Sequence, residues 1–473
     1  MIKTQYDADV LIVGGGPSGS LCAYYLAKAG VKVILIDSET FPRDKICGDF
    51  VSPVGLNELK KIGIWEIDGF EKTNVITKAA IYVNGNHLVT SELPNLEGLA
   101  NYGRVIPRLI LDNWILESAR VQGVEVITSC KFDHFSVEAD SVAINCTLDE
   151  KSMQFRTKLI IGADGSNSKV AKIKNGKNIK PENKIIAVRA YFENTNCFSE
   201  QAELYFANNS FPGYCWFFPT STTTANVGIG MMIESFPIKE THLKQLLFDT
   251  IESDPNFKAR IGNGKIVDKI TGFPLSIYDP NTSIVSDRVM LVGDAAGLIN
   301  SINGEGMQYA MLSGRWAAES LVECISVGDF GVNSLKKYET KVQINLGYDM
   351  CIANIGMQLI RNRNLNPLWL KFFTIMGTQS KLDLKYADIA GGILAGMIPT
   401  SKVLTYYFIS RTFFCTLKTS MNGLSVLIKS IRSVVIFSVR IAIQSIKQRK
   451  EYWKWIKNVN RSAWEAFRLY RLQ

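Results

Sequence analysis

Nowhere does this 473-residue chain string together the ~18 to 20 uncharged apolar residues that a membrane-crossing helix needs. The nearest charge-free stretch, Ile389 to Ser401, is too short and is broken by Pro399, so the composition argues against a spanning helix. The nine cysteines include no C-x-x-C and no Cys/His cluster; no metal site is expected, and the thiols read as free in a reducing compartment. No secretory leader precedes the first strand pattern in MIKTQYDADVLIV, which implies a cytoplasmic protein. A second nucleotide fold that would hold NAD(P)H permanently is also missing. Acidic residues nearly vanish from the tail: beyond residue 401 only Glu451 and Glu465 oppose fourteen Lys and Arg, a surplus of twelve in a chain whose total is +9. The body is therefore slightly acidic, and the net charge is no sign of nucleic acid binding.

At 47% apolar and 21% charged residues, the sequence is that of a folding globular chain, long enough for two or three structural units. ADVLIVGGGPSGSLCAYYLAKAGVKVILID reads as a strand, a glycine turn, a helix ending near Gly30 and a second strand. Gly14, Gly16 and Gly19 fill a G-x-G-x-x-G, serving in turn the tight bend, the approach of backbone to a pyrophosphate and the packing of helix on strand. Pro17 and Ser18 open the helix, whose bare N–H groups favour an anion. Asp37 ends the second strand, where an acid can accept ribose hydroxyls. Both NAD and FAD satisfy this pattern.

Two later segments point to FAD. LIIGADGSNSKV (Leu159 to Val170) and VMLVGDAAGLINSINGEGMQYAM (from Val289) resemble the Asp-Gly and Gly-Asp motifs of FAD-dependent enzymes related to aromatic hydroxylases. That resemblance assigns Asp164, Gly293 and Asp294 to cofactor binding, with Asp294 on the ribityl chain. It places the amides around Gly304, Gly306 and Met307 at the flavin ring, and it matches Arg108 to an arginine beside the cofactor. An ion pair of Arg108 with Asp112, one turn on, is the plain alternative. The implied fold class is α/β + α: a Rossmann-type FAD-binding fold (1–75, 101–184 and 275–340) interrupted by a mainly antiparallel β-sheet substrate domain (76–100 and 185–274). A helical, basic C-terminal region (341–473) follows. Within the sheet, AAIYVNGNHLVTS is expected to turn at Asn84-Gly85.

PGYCWFFPTSTTTANVGIG (Pro212 to Gly230) would place Tyr214, Trp216 and Phe218 on one strand face and Cys215 and Phe217 on the other. By composition this is either core or one wall of an apolar site. Together with FPRDKICGDFVSP (Phe41 to Pro53), its Y-x-W-x-F-P, eight residues and G-x-G closely resemble the geranylgeranyl reductase family. The resemblance implies an FAD oxidoreductase that saturates isoprenoid double bonds by hydride transfer from reduced flavin. The substrate would be a prenyl lipid, prenyl diphosphate or prenylquinone, and the reductant NAD(P)H, ferredoxin or a reductase. It assigns Tyr214, Trp216 and Phe218 to the substrate, and Cys47 and Gly48 to the flavin side. A protonated Cys47 thiol could deliver a proton; equally, a small buried Cys is a common core residue.

Flavin halogenases and monooxygenases share the F-P-R stretch. Halogenases, however, continue into Gly-Glu-Ser where this chain has Cys47-Gly48-Asp49, and Lys78, the nearest match to their lysine, lacks the usual surroundings. A non-catalytic FAD-containing lipid-binding protein is a third reading. Finally, Leu424 to Lys450 spaces Lys429, Arg432, Arg440 and Lys447 along a helical stripe among Ile, Val and Phe. Such a helix suits the inner face of an anionic membrane, with Trp453, Trp455 and Trp464 as anchors, or packs on the body with its basic stripe in water.

Overall fold

The opening apolar run forms the strand Ala8–Val13, almost wholly buried, as the middle of a parallel sheet requires. It pairs in parallel with Val33–Ile36 on one side and Lys151–Gly162 on the other. Glu125–Ile127 and Val289–Leu291 extend the same parallel core. An antiparallel meander, Cys130–Val137 and Val142–Leu148, leads into Lys151–Gly162. The crossover from first to second strand is the helix Pro17–Lys28, which lies against helix Met307–Val327. Their approach depends on Gly314, where a Cβ would stand 2.3 Å from the Ser18 carbonyl oxygen. The computed structural model describes residues 5–176, 183–235, 242–267, 269–420, 438 and 441–472.

A second sheet runs in the order Lys265–Ile266, Lys184–Glu193, Ala225–Met232, Tyr214–Pro219, Gln201–Phe206, Lys78–Val83 and Asn86–Glu92, with Thr271–Ser276 also paired to Lys184–Glu193. All its pairings are antiparallel except Gln201–Phe206 with Lys78–Val83. The hairpin at Asn84-Gly85 has both residues at positive φ, the combination a tight two-residue turn demands. The Thr run closes the Tyr214–Pro219 and Ala225–Met232 pair, with Thr220 N–H donating to Thr224 O at 2.8 Å. Phe50–Val51, Gly103–Val105 and Asn74–Ile76 make a small third sheet. This is the fold class that the sequence implies.

Helices dominate beyond residue 306: Val332–Val342, Tyr348–Ile360, Asn366–Leu382, Leu384–Leu394, Tyr406–Ser420 and Arg449–Tyr470. None among the described residues is long and apolar enough to cross a membrane. The basic helix expected over 424–450 lies mostly outside the described residues. Helix Arg449–Tyr470 packs on Tyr348–Ile360, and Trp455 Nε1 donates to the Gln358 carbonyl at 2.6 Å. Trp455 therefore anchors the tail to the body, a correction to its expected place at a membrane; Trp453 and Trp464 are exposed.

Candidate active site

The glycine turn is built by exclusion. A Cβ on Gly14 (φ +110°) would lie 2.4 Å from Ala163 O, and one on Gly19 would lie 2.0 Å from Gly14 O. At Gly16, by contrast, only Arg43 stands near, at 3.6 Å. Gly16 is the N-cap of helix Pro17–Lys28 and no side chain caps it, so the first-turn amides are open to a ligand. Asp37 Oδ2 accepts from Gly15 N–H at 2.7 Å and Oδ1 from Glu39 N–H at 2.9 Å, which fixes the carboxylate beside the turn.

One continuous cavity of ≈ 640 Å³ joins this turn to the second sheet. Gly14, Gly16, Pro17, Ser18 and Asp37 line one end; Cys47, Gly48, Arg108, Asp164, Asp294, Gly304, Gly306 and Met307 line its middle. Tyr214, Trp216 and Phe218 line the sheet side. Cys215 and Phe217 point the other way, fully buried with Tyr205 and Phe257 in the core behind the sheet. Gly19 and Gly293 are the two expected cofactor residues that do not reach the cavity. Both serve packing instead, since a Cβ on Gly293 would meet Ser18 Oγ at 2.7 Å. Asp164 touches the cavity, but its carboxylate is committed to capping helix Lys169–Asn175 through Lys169 N–H at 2.6 Å and Val170 N–H at 3.2 Å. Asp294 accepts from Ser166 Oγ at 3.1 Å.

Arg108 lines the cavity and also makes the ion pair with Asp112. Its guanidinium pairs with Asp112 at 2.6 Å, and Asp112, wholly buried, also takes Arg43 at 3.0 Å. The pair is interior rather than a surface contact, and it keeps a cation beside the Cys47 thiol. Burial nevertheless pushes the Cys47 thiol up to about 11, with the Arg108 charge opposing the shift, so the sulfur holds its proton at neutral pH.

Several residues of this site carry no sequence pattern that would have found them. Asn226 Nδ2 donates to both Cys47 O and Asp49 Oδ2 at 2.7 Å, while Trp216 Nε1 donates to Asn226 Oδ1 at 2.9 Å. Tyr191 Oη donates to Asp49 at 2.5 Å. Asp49 is completely buried, and desolvation raises it to about 6 despite these donors. Lys45 lies 3.5 Å above the Phe273 ring, its pKa lowered by burial against the pull of Asp294. Glu305 Oε1 accepts from Gln308 N–H at 3.0 Å at the start of helix Met307–Val327, and desolvation raises its carboxyl to about 7. Lys45 and Asp49 lie inside the F-P-R segment, Glu305 inside G-E-G and Asn226 inside the stretch Pro212 to Gly230, so motif proximity was the available signal; Tyr191 had none.

The donor set fits FAD: an open helix N-terminus for pyrophosphate, Asp37 at the ribose end, Asp294 beside Ser166, and a glycine loop before a long helix. A family model described as FAD binding domain matches residues 7–343. Among curated relatives, conditioned medium factor receptor 1 of Dictyostelium discoideum is 28% identical, over 73% of this chain and 69% of its own. The digeranylgeranylglycerophospholipid reductase of Methanocella arvoryzae is 30% identical, over 73% of this chain and 85% of its own. Among solved structures, a geranylgeranyl bacteriochlorophyll reductase-like protein from Thermoplasma acidophilum superposes with TM-score 0.66 at 23% identity, covering 90% of this chain and 98% of that one. The flavin-dependent brominase Bmp2 also superposes with TM-score 0.66, at 18% identity, covering 88% of this chain and 100% of that one.

Proposed function

The chain belongs to the FAD binding domain family, is an FAD-dependent oxidoreductase with geranylgeranyl reductases among its relatives, and from that premise we propose that it saturates isoprenoid carbon-carbon double bonds. The observation that carries the proposal is the contact between Gly48 and the aromatic wall. A Cβ on Gly48 would lie 3.1 Å from Phe218 and 3.5 Å from Trp216, so the Cys47-Gly48 turn rests on the wall itself. An apolar chain held along Tyr214, Trp216 and Phe218 would pass beside the thiol. Burial of each CH₂ contributes about 0.8 kcal/mol to such grip.

FAD, when reduced, supplies the hydride. The residues of the chain do the remainder: the wall orients the alkene, the cavity keeps water away, and Cys47 Sγ holds the proton that the second alkene carbon takes up. An isolated alkene offers no carbonyl to stabilise charge, so orientation has to carry much of the rate; near-contact alignment can remove roughly 7 to 11 kcal/mol of barrier. The alkene would gain a hydride and a proton in total, the proton from Cys47, and an external donor (NAD(P)H, ferredoxin or a reductase) would have to supply the electron pair that balances each reduction.

For the halogenase alternative, Lys78 is the critical residue. It sits on the sheet's outer side, paired with Glu200 at 2.7 Å, outside the cavity lining. That favours reduction over halogenation. A membrane surface is the proposed source of substrate. Helix Tyr406–Ser420 exposes Tyr406, Ile409, Phe413, Phe414 and Leu417 along one face, with Lys402, Arg411 and Lys418 around it, a pattern suited to anionic lipid. We place the protein on the cytoplasmic face of that membrane.

The test is anaerobic incubation of the dithionite-reduced, FAD-loaded protein with prenyl diphosphates and prenylquinones, read by mass spectrometry. Products heavier by pairs of hydrogen are expected. No anaerobic change, with oxygen or halogen gained in air plus halide, would replace the reductase reading with the monooxygenase or halogenase one. Flavin that neither bleaches with reductant nor reoxidises with substrate would leave the non-catalytic reading.

A further inference from the structure

The cavity does not end at the aromatic wall. Its far side is roofed by the helix Leu384–Leu394, from which Ala387, Ala390, Gly391 and Leu394 line it at three- and four-residue spacing, opposite Ala79 and Ile81 of the sheet. Gly391 is the centre of that stripe. A Cβ built there meets nothing within 4 Å, unlike its neighbour Gly392, where Ile398 would stand at 2.7 Å. A glycine in a helix interior costs stability relative to alanine or leucine, and no close packing requires one at 391.

Three side-chain bonds fix this roof and the segment that follows it to helix Met307–Val327 and the loop before it. Asn303 Nδ2 donates to Ile393 O at 2.8 Å, Gln308 Nε2 to Gly396 O at 2.8 Å, and Asn300 Nδ2 to Thr400 Oγ1 at 3.1 Å. The distance from the flavin side to the roof is thereby set by the fold. Between Asn300 and Asn303, Ser301 is 1% exposed and belongs to the cavity lining, yet its hydroxyl finds no partner among the described residues. A buried hydroxyl left unpaired by the protein calls for a polar group of whatever fills the cavity beside it, so Ser301 marks the boundary between the polar side and the apolar compartment under the roof.

We propose that Gly391 is a specificity-determining residue: its missing side chain leaves the compartment that takes the distal end of the isoprenoid, and so sets the longest chain the site accepts. This rests on the isoprenoid reading given above. A leucine at 391 would occupy the compartment and displace the last carbons of a long chain while leaving a shorter one in place. Leucine is also the better helix former, and the backbone around Gly391 is open to it, so the variant is expected to fold.

The experiment compares the FAD-loaded native chain with Gly391→Ala and Gly391→Leu. Farnesyl and geranylgeranyl diphosphate are titrated calorimetrically against each protein, then reduced in anaerobic single turnover, with melting curves confirming the fold. For Gly391→Leu we expect geranylgeranyl binding weakened at least about tenfold and farnesyl binding changed less than about twofold, with Gly391→Ala between. Equal loss for both chains, or no loss for either, in a folded variant would overturn the assignment. If the native chain binds and reduces neither compound nor a prenylquinone, the isoprenoid reading itself fails, and the role of Gly391 with it.

Discussion

Asn226 holds Cys47 from the second sheet: its carboxamide, on strand Ala225–Met232, donates to the Cys47 carbonyl at 2.7 Å. The same group donates to Asp49 and accepts the Trp216 indole, so one fully buried side chain ties the thiol turn, a carboxyl and the aromatic wall together. Asn226→Leu would keep the branched shape and withdraw the hydrogen bond from all three partners. Leaving buried polar groups unpaired costs about 1 to 3 kcal/mol each, with partial relaxation, so we expect a loss of roughly 2 to 4 kcal/mol in urea unfolding. Turnover should fall at least about tenfold in protein that still carries its flavin, because the turn that aims the thiol is released.

Cys47 itself gives a sharper test. With its thiol raised to about 11 by burial, it stays protonated from pH 6 to 9 and can donate throughout that range. Loss of a positioned proton donor typically costs roughly a hundredfold to ten-thousandfold. Cys47→Ala is expected to show that loss in turnover with an unchanged flavin absorbance, and the native pH–rate profile should show no limb from thiol ionisation below about pH 10. Full turnover in the alanine variant would remove Cys47 from the chemistry.

How far the sequence discloses all this differs by element. The strand-turn-helix around Gly14 was legible because a backbone that must approach a phosphate leaves no choice of residue, and the hairpin at Asn84-Gly85 because positive φ at two consecutive positions favours that pair. The face bearing Tyr214, Trp216 and Phe218 followed from the period of two. That Asn226, Tyr191 and Asp49 meet could not be read: they come together through register, Asn226 opposite Tyr191 on adjacent strands, and register is a long-range property. Ser301 and Gly391 belong to the same class. Nothing local distinguishes a hydroxyl with no partner, or a glycine with nothing beside it, from any other.

Gly16, in the turn, and Gly19, in the helix that follows it, should separate in their effects. At Gly19 an added methyl meets backbone at 2.0 Å and Ala163 Cβ at 2.9 Å, so Gly19→Ala must shift helix from strand; a loss above about 3 kcal/mol and flavin-free protein are expected. At Gly16 the only neighbour is the end of the Arg43 side chain, so Gly16→Ala should melt within a few degrees of the native chain when both are stripped of flavin. Because Gly16 lines the cavity, the flavin:protein ratio should still drop for Gly16→Ala. Equal destabilisation by the two substitutions would contradict the distinct roles given to them.

The exposed face of helix Tyr406–Ser420 predicts a membrane phenotype without a catalytic one. Phe413→Glu with Phe414→Glu places two negative charges where lipid headgroups would lie, and both positions are exposed, so folding should be little affected. Sedimentation with anionic liposomes should fall several-fold, while reduction of a detergent-dispersed substrate should not change. Unaltered sedimentation, or none by the native chain, would overturn the lipid-binding role of this helix.

Asp49 makes stability depend on pH with a sign opposite to that of a salt-bridged carboxylate. Its pKa rises from 3.8 to about 6 on folding, chiefly because burial desolvates the charged form. Below pH 3.8 both folded and unfolded chains hold the proton and Asp49 contributes no pH-dependence. Between 3.8 and about 6 the unfolded chain gives up a proton that the folded chain keeps, so each step up in pH favours unfolding; above 6 the full penalty, about 3 kcal/mol, is present. Asp49→Asn removes the ionisation and suits the backbone, since residue 49 sits at φ +64°, which asparagine tolerates well. Whatever offset the altered hydrogen bonds introduce, the unfolding free energy of the variant relative to the native chain should climb by a few kcal/mol from pH 4 to pH 6.5 and then level off. Paired urea titrations across that range measure it, and a flat difference would mean that Asp49 titrates at its ordinary value in the folded protein.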